Sequence, residues 1–164
     1  MANINNFDSS STNWVGLWTL FSKETSRFLK VFYQTVLAPV VTNILFLTVF
    51  LIVIDRDDFV IGGVSYPEFL VPGLIMMQIL QNAFMNTTST IMISKVQGNI
   101  VDLLLPPLSS FELTLAIGLG GVARGMIVGL ASTIALYFFV DMQFVNFFYI
   151  IFFSFSGSLA LSLL

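Results

Sequence analysis

A chain of 164 residues that is 57% hydrophobic and only 9% charged, with a net charge of −3, cannot be a soluble domain. Soluble domains carry about 25% charged residues, and no core of this size hides so much apolar surface from water. The absence of Cys and His excludes disulfides and thiolate metal sites, and removes the commonest metal ligand and general base.

Composition and pattern therefore predict an all-α membrane protein: an N-terminal interfacial amphipathic helix followed by four transmembrane helices. Residues 1–13, rich in Ser and Asn, read as a disordered tail without the basic-then-apolar order of a signal peptide. Trp14–Lys30 reads as the amphipathic helix. Trp14, Leu17, Trp18, Phe21 and Phe28 fall on one face, and Lys23, Glu24, Arg27 and Lys30 mostly on the other. That partition predicts a helix lying in the membrane surface.

Val36–Ile54 carries no charge and, at 1.5 Å per residue, spans roughly 28 Å, enough to cross a hydrocarbon core. Pro39 falls in its first turn, where proline is tolerated. Asp55–Glu68 is an acidic loop with Gly62-Gly63 as a turn. Phe69–Ile93 is the second span, interrupted near its start by Pro72-Gly73. Phe111–Val140 is the third, roughly 45 Å as helix, so its first turns are expected to project from the membrane. Asp141–Asn146 is a polar turn. Phe147–Leu164 begins a fourth span that lacks the interfacial anchors which normally close one, so the chain reads as C-terminally truncated.

Basic residues set the expected orientation. Lys23, Arg27 and Lys30 precede the first span, and Lys95 lies in the second connection. The loop between holds Asp55, Asp57, Asp58 and Glu68 against Arg56 alone. The positive-inside rule places the N-terminus and Lys95–Glu112 in the cytoplasm. That connection, KVQGNIVDLLLPPLSSFE, is longer than a turn requires and reads as a short helix with a hard stop, a docking element.

Within the spans, Gln78, Asn82 and Asn86 recur every fourth residue and form one stripe. Two readings remain open: helix–helix hydrogen bonding, worth about 0.6 kcal/mol each, or a wall of a substrate conduit. Gly121, Gly125 and Gly129 form a small-residue stripe that lets another helix approach closely. Arg124 sits among them, too far from Glu112 to pair with it. It requires a buried acid, a wet cavity or a route to the interface. The carboxylates are scattered and no base–nucleophile set is present, which argues against catalysis. No Gly-rich phosphate loop ending in Lys-Ser/Thr occurs, so ATP is not bound through such a motif here.

Four stretches, in order, resemble the bacterial ABC-2-type permeases, the membrane subunits of a class of ABC exporters. They are GLWTLFSKETSRFLKVFYQTVLAPVVTNILF (Gly16–Phe46), YPEFLVPGLIMM (Tyr66–Met77), KVQGNIVDLLLPPLSSFEL (Lys95–Leu113) and GLGGVARGMIVG (Gly118–Gly129). The resemblance implies a six-span, multi-pass protein of the bacterial inner membrane, of which four spans are in this chain. It implies two permease copies, or a copy and a paralogue, paired with two ATP-binding subunits, and neither a cofactor nor nucleic acid as partner. It also implies that Gln97–Leu105 is a coupling helix, ended by Pro106-Pro107. Lys95, Gln97, Gly98, Asp102, Leu103, Leu104 and Leu105 would meet the ATPase. Family members export drugs, polysaccharides or other amphiphiles. The alternatives are a membrane scaffold that assembles through the glycine stripe, or an ion-coupled secondary transporter. The latter is disfavoured by the lack of an acid deep within a span.

Overall fold

Helix starts and stops follow local chemistry. The computed structural model describes residues 13–54, 60–61, 63–106, 108–140 and 146–164. The tail up to residue 12, the loop residues 55–59, Gly62, Pro107 and residues 141–145 of the expected polar turn lie outside them. Asn13 caps α1 (Trp14–Lys30), its side chain accepting from the Gly16 N–H at 3.0 Å. After Val31 and Phe32 the chain continues through a π turn, Tyr33–Leu37, into α2 (Ala38–Ile54). Pro39 thus lies inside a continuous helical stretch rather than at a helix start. The wide turn just before it accommodates the missing N–H.

A two-strand hairpin, β1 (Val60–Ile61) and β2 (Val64–Ser65), joins α2 to α3. Gly63 turns it at φ 87°, a left-handed conformation suited to glycine. α3 (Tyr66–Val96) begins three residues before the expected span and runs through Pro72 without a break. Proline there removes one hydrogen bond near the helix start, which the following six turns readily outweigh. α4 (Ile100–Leu104), α5 (Ser110–Tyr137) and α6 (Phe147–Ser162) follow.

Among the described residues three helical stretches are long and apolar enough to cross a membrane: Tyr33–Val53, Tyr66–Val96 and Ser110–Tyr137. The expected fourth span is a shorter apolar helix, Phe147–Ser162. Large apolar side chains such as Leu45, Ile52, Val53, Phe148 and Phe153 face outward. Outward apolar faces on such helices identify hydrocarbon, not water, as the surrounding medium.

The bundle is organised around α3 and α5. They pack antiparallel: Gly121 lies against Ala83 and Thr87, Gly125 against Ile79 and Ala83, and Gly129 against Ile79. α6 enters through its own small face. Ser154, Ser158 and Ser162 are buried at every fourth residue, Gly157 meets Leu80, and Ser162 lies near Gly118 and Gly121. The far end of the bundle closes on an apolar cluster of Leu47, Val71, Leu74, Leu136 and Val140. α1 runs alongside α5 in the same direction, from Asn13 beside Glu112 to Glu24 against Gly120.

Candidate functional site

Three chain segments converge at the end of the bundle where α1 starts, α3 ends and α5 begins. The α3–α4 connection forms its outer part. The Gln97 N–H still bonds the Ile93 carbonyl at 2.9 Å, and Gly98 then adopts φ 72°. Left-handed glycine at this position ends a helix. The expected helix Gln97–Leu105 is therefore shortened to Ile100–Leu104, with Gln97 and Gly98 in the turn before it and Leu105 as its C-cap. The side chain of Leu103 lies outside the described residues.

Lys95, Gln97, Gly98, Asp102, Leu104 and Leu105 are all exposed. The Asp102 carboxylate makes no hydrogen bond or ion pair with the described residues, and neither does the Lys95 ammonium. The apolar exposure is pronounced: Val96 at 83%, Leu105 at 70%, with Leu104 and Val101 also outward. These residues sit at the end of the bundle, following Thr87, Thr88, Ser94 and Lys95 toward the end of α3.

Glu112 ties this segment to α1. Its Oε2 accepts from the Ser109 N–H (2.8 Å), while the Ser109 Oγ accepts from the Glu112 N–H (3.2 Å), a capping box that starts α5. Its Oε1 accepts from the Asn13 N–H at 2.6 Å. One carboxylate thus secures the starts of two helices. Leu108 closes the same contact, its Cδ2 lying 2.7 Å from where a Cβ on Gly16 would be. Glu112→Ala is expected to loosen the first turn of α1 and raise its amide hydrogen exchange several-fold, with α6 unaffected. Equal exchange across α1 in both proteins would contradict this assignment.

Behind the capping box lies a buried polar junction. Glu24 was expected on the polar face of α1 but is 3% exposed, on the same stripe as buried Phe28. Trp14 and Trp18, expected on the apolar face that meets the membrane surface, are exposed. Glu24 is buried because α5 presents Gly120 to it, and a carboxylate stem fits where larger apolar side chains would not. Arg27 Nη2 lies 3.0 Å from Glu24 Oε2. Thr90 Oγ1 donates to the same oxygen at 2.8 Å and accepts from Arg27 Nη2. The junction therefore links α1 to α3 through a charge-assisted set of bonds over a glycine floor on α5.

The intramembrane polar stripe is buried: Gln78, Asn82 and Asn86 all face inward. Asn82 Nδ2 donates to the carbonyl and Oε1 of Gln78, at 3.0 and 3.2 Å, while Asn86 lies beside Gly120. Arg124 is partly buried, its Nε enclosed without a partner, and it does not meet Glu112. Gln81, by contrast, lines an open apolar groove between α3 and α6 with Met76, Met77, Leu80 and Phe84. Among the described residues no group of His, Cys, Asp and Glu is placed to hold a metal ion.

Sequence reasoning missed the Glu24–Arg27–Thr90 junction, the Glu112–Asn13 link and the serine face of α6. The first has no local signal. The second is half visible as Ser109-x-x-Glu112, and the third as Ser154, Ser158 and Ser162 at four-residue spacing.

A family model described as ABC-2 type transporter matches residues 15–164. The chain is 38% identical over 130 residues to the inner membrane transport permease YadH of Escherichia coli (strain K12), covering 79% of this chain and 51% of that protein. The proteins of the same name in Escherichia coli O157:H7 and Shigella flexneri match with the same identity and coverage. The chain thus spans about half the length of the curated relatives it matches. No solved structure matches it.

Proposed function

The chain belongs to the ABC-2 type transporter family, and on that premise we propose that it is a membrane permease subunit of an ATP-driven exporter, set in the bacterial inner membrane as its named relatives are. Its N-terminus and the α3–α5 connection face the cytoplasm, as the basic residues indicate. Two ATP-binding subunits drive it, and a second copy or a paralogue completes the membrane part. The substrate is a drug, a polysaccharide or another amphiphile, moved outward.

The observation that carries this reading is the outward-facing apolar set Val96, Val101, Leu104 and Leu105 at the end of the bundle. Apolar side chains exposed on a connection that the basic residues assign to the cytoplasm are the material of a protein–protein contact. The left-handed Gly98 sets α4 off from the end of α3 and presents it. Glu112 then links whatever moves that segment to α1 and α5. The inward burial of Gln78, Asn82 and Asn86 supports a packing role for that stripe rather than a conduit wall.

The test is co-purification with an ATPase subunit bearing a Walker motif, encoded beside this gene. Expected are a stable complex and ATP hydrolysis altered by the permease. Asp102→Arg and Gly98→Trp are expected to weaken both. Wild-type binding and hydrolysis in both variants would show that the ATPase docks elsewhere. A scaffold would give no ATPase complex at all.

A further inference from the structure

The junction of α1, α3 and α5 holds more donors than it uses. Asn86 is fully buried, at 0% exposure, and neither its Nδ2 nor its Oδ1 has a partner among the described residues. Arg124 Nε and Thr87 Oγ1 are enclosed in the same way. All of them border one small region of α5. A Cβ on Gly120 would lie 3.0 Å from Glu24 Cβ and 3.6 Å from Asn86 Nδ2, and one on Gly121 would lie 3.0 Å from Thr87 Oγ1. Arg124 follows Gly120 by one turn. A helical side chain covers the turn N-terminal to its own Cα, here the shelf made by the two glycines. Donors left unpaired in a site shielded from water are costly, and more so in lipid.

Glu24 is the acceptor packed against that shelf. Among the described residues its polar contacts, with Arg27 and Thr90, fall on Oε2 and leave Oε1 for a further donor. We propose that Glu24 is a two-position acceptor, and a positioning residue for transport. In the position seen here it holds Arg27 and Thr90. In the second, its carboxylate swings across Gly120 to accept from Arg124 Nε and Asn86 Nδ2, and α1 shifts along α5 toward Arg124. Gly120, with no side chain between Glu24 and Asn86, leaves the path for the swing. The drive comes from the other end of α1, where Asn13 is held by Glu112 directly after the α4 segment. A push on that segment is thereby delivered to Glu24. This inference rests on the permease reading for its drive, but not for its two positions.

The chain contains no Cys, so two introduced cysteines carry spin labels without background. Ser22 on α1 and Thr114 on α5 are both exposed. Distances between labels there are measured in membranes, on the permease alone and with its ATP-binding subunit trapped by vanadate. Trapping is expected to change the distance by several ångströms, of the order of one helical turn of about 5.4 Å. Arg124→Gln is expected to abolish the change and Arg124→Lys, which keeps the charge, to restore it. Arg27→Gln, which removes the charged partner from the first position, is expected to give the trapped distance in the permease alone. A wild-type shift in Arg124→Gln, or a resting distance in Arg27→Gln, overturns the proposal. If no ATPase subunit binds, the permease reading fails, while the Arg27→Gln comparison still decides this one.

Discussion

Gly125→Val is expected to break the α3–α5 pair, at a cost of about 3 kcal/mol or more. A Cβ at this position would lie 2.7 Å from the carbonyl oxygen of Ile79 and 3.3 Å from Ala83 Cβ. The first obstacle is backbone, which cannot rotate away. The helices would have to separate, and with them the contacts of Gly121 and Gly129. Gly129→Ala makes a contrasting case. Its Cβ would meet only the side chain of Ile79, at Cγ1 and Cδ1. Trimming that side chain in the double variant Gly129→Ala/Ile79→Ala is therefore expected to recover much of the loss, whereas Ile79→Ala cannot rescue Gly125→Val. Gly73 is the control, because a Cβ there meets nothing within 4 Å. Gly73→Ala is expected to be neutral or stabilising by up to about 1 kcal/mol, through helix propensity. Thermal unfolding in a mild detergent reads all five variants. A Gly125→Val protein that melts like wild type would show that α3 and α5 are not in backbone contact.

That glycine stripe was legible because it depends on spacing alone: three small residues four apart can do little in a membrane helix except admit a neighbour. The long helices were legible for a similar reason, since hydrocarbon imposes length and composition. Their ends were less so. Pro72 read as an interruption and Pro39 as lying in a first turn, yet both lie within continuous helical stretches, because neighbouring turns absorb the loss of one N–H. Glu24 was misplaced for a different reason. A helical wheel assigns faces by side-chain polarity, but α1 sets Glu24 against Gly120, a position of α5 with no side chain. There a carboxylate with Arg27 and Thr90 beside it fits better than Trp14 or Trp18. Nothing in residues 14–30 encodes Gly120 and Gly121. The serine face of α6 escaped notice because Ser158 and Ser162 bond the carbonyls of Phe155 and Leu159 in their own helix. They then pack as small, nearly apolar surface, which polarity alone does not suggest.

The docking surface yields the second large effect. Leu104→Asp together with Leu105→Asp is expected to weaken association with the ATP-binding subunit by about 2–4 kcal/mol, the usual range for apolar anchors at the centre of an interface. That corresponds to a loss of roughly 30- to 1,000-fold in affinity. The permease itself is expected to fold and melt as wild type, because both side chains are already exposed and touch no core residue. This separates the prediction from a stability effect. Gly98→Val probes the same surface through the backbone. A β-branched residue at φ 72° is strained by of order 1–3 kcal/mol. No neighbour lies within 4 Å to clash with it, so the strain is relieved locally by re-aiming α4. The expected result is again weak association with an intact bundle, now with every apolar anchor still present. If the aspartates abolish binding and Gly98→Val does not, the anchors act as loose side chains on a pliable loop. If both do, the ATPase recognises α4 as a shape held at a fixed angle to α3, which is what a segment that transmits force to α1 through Glu112 requires.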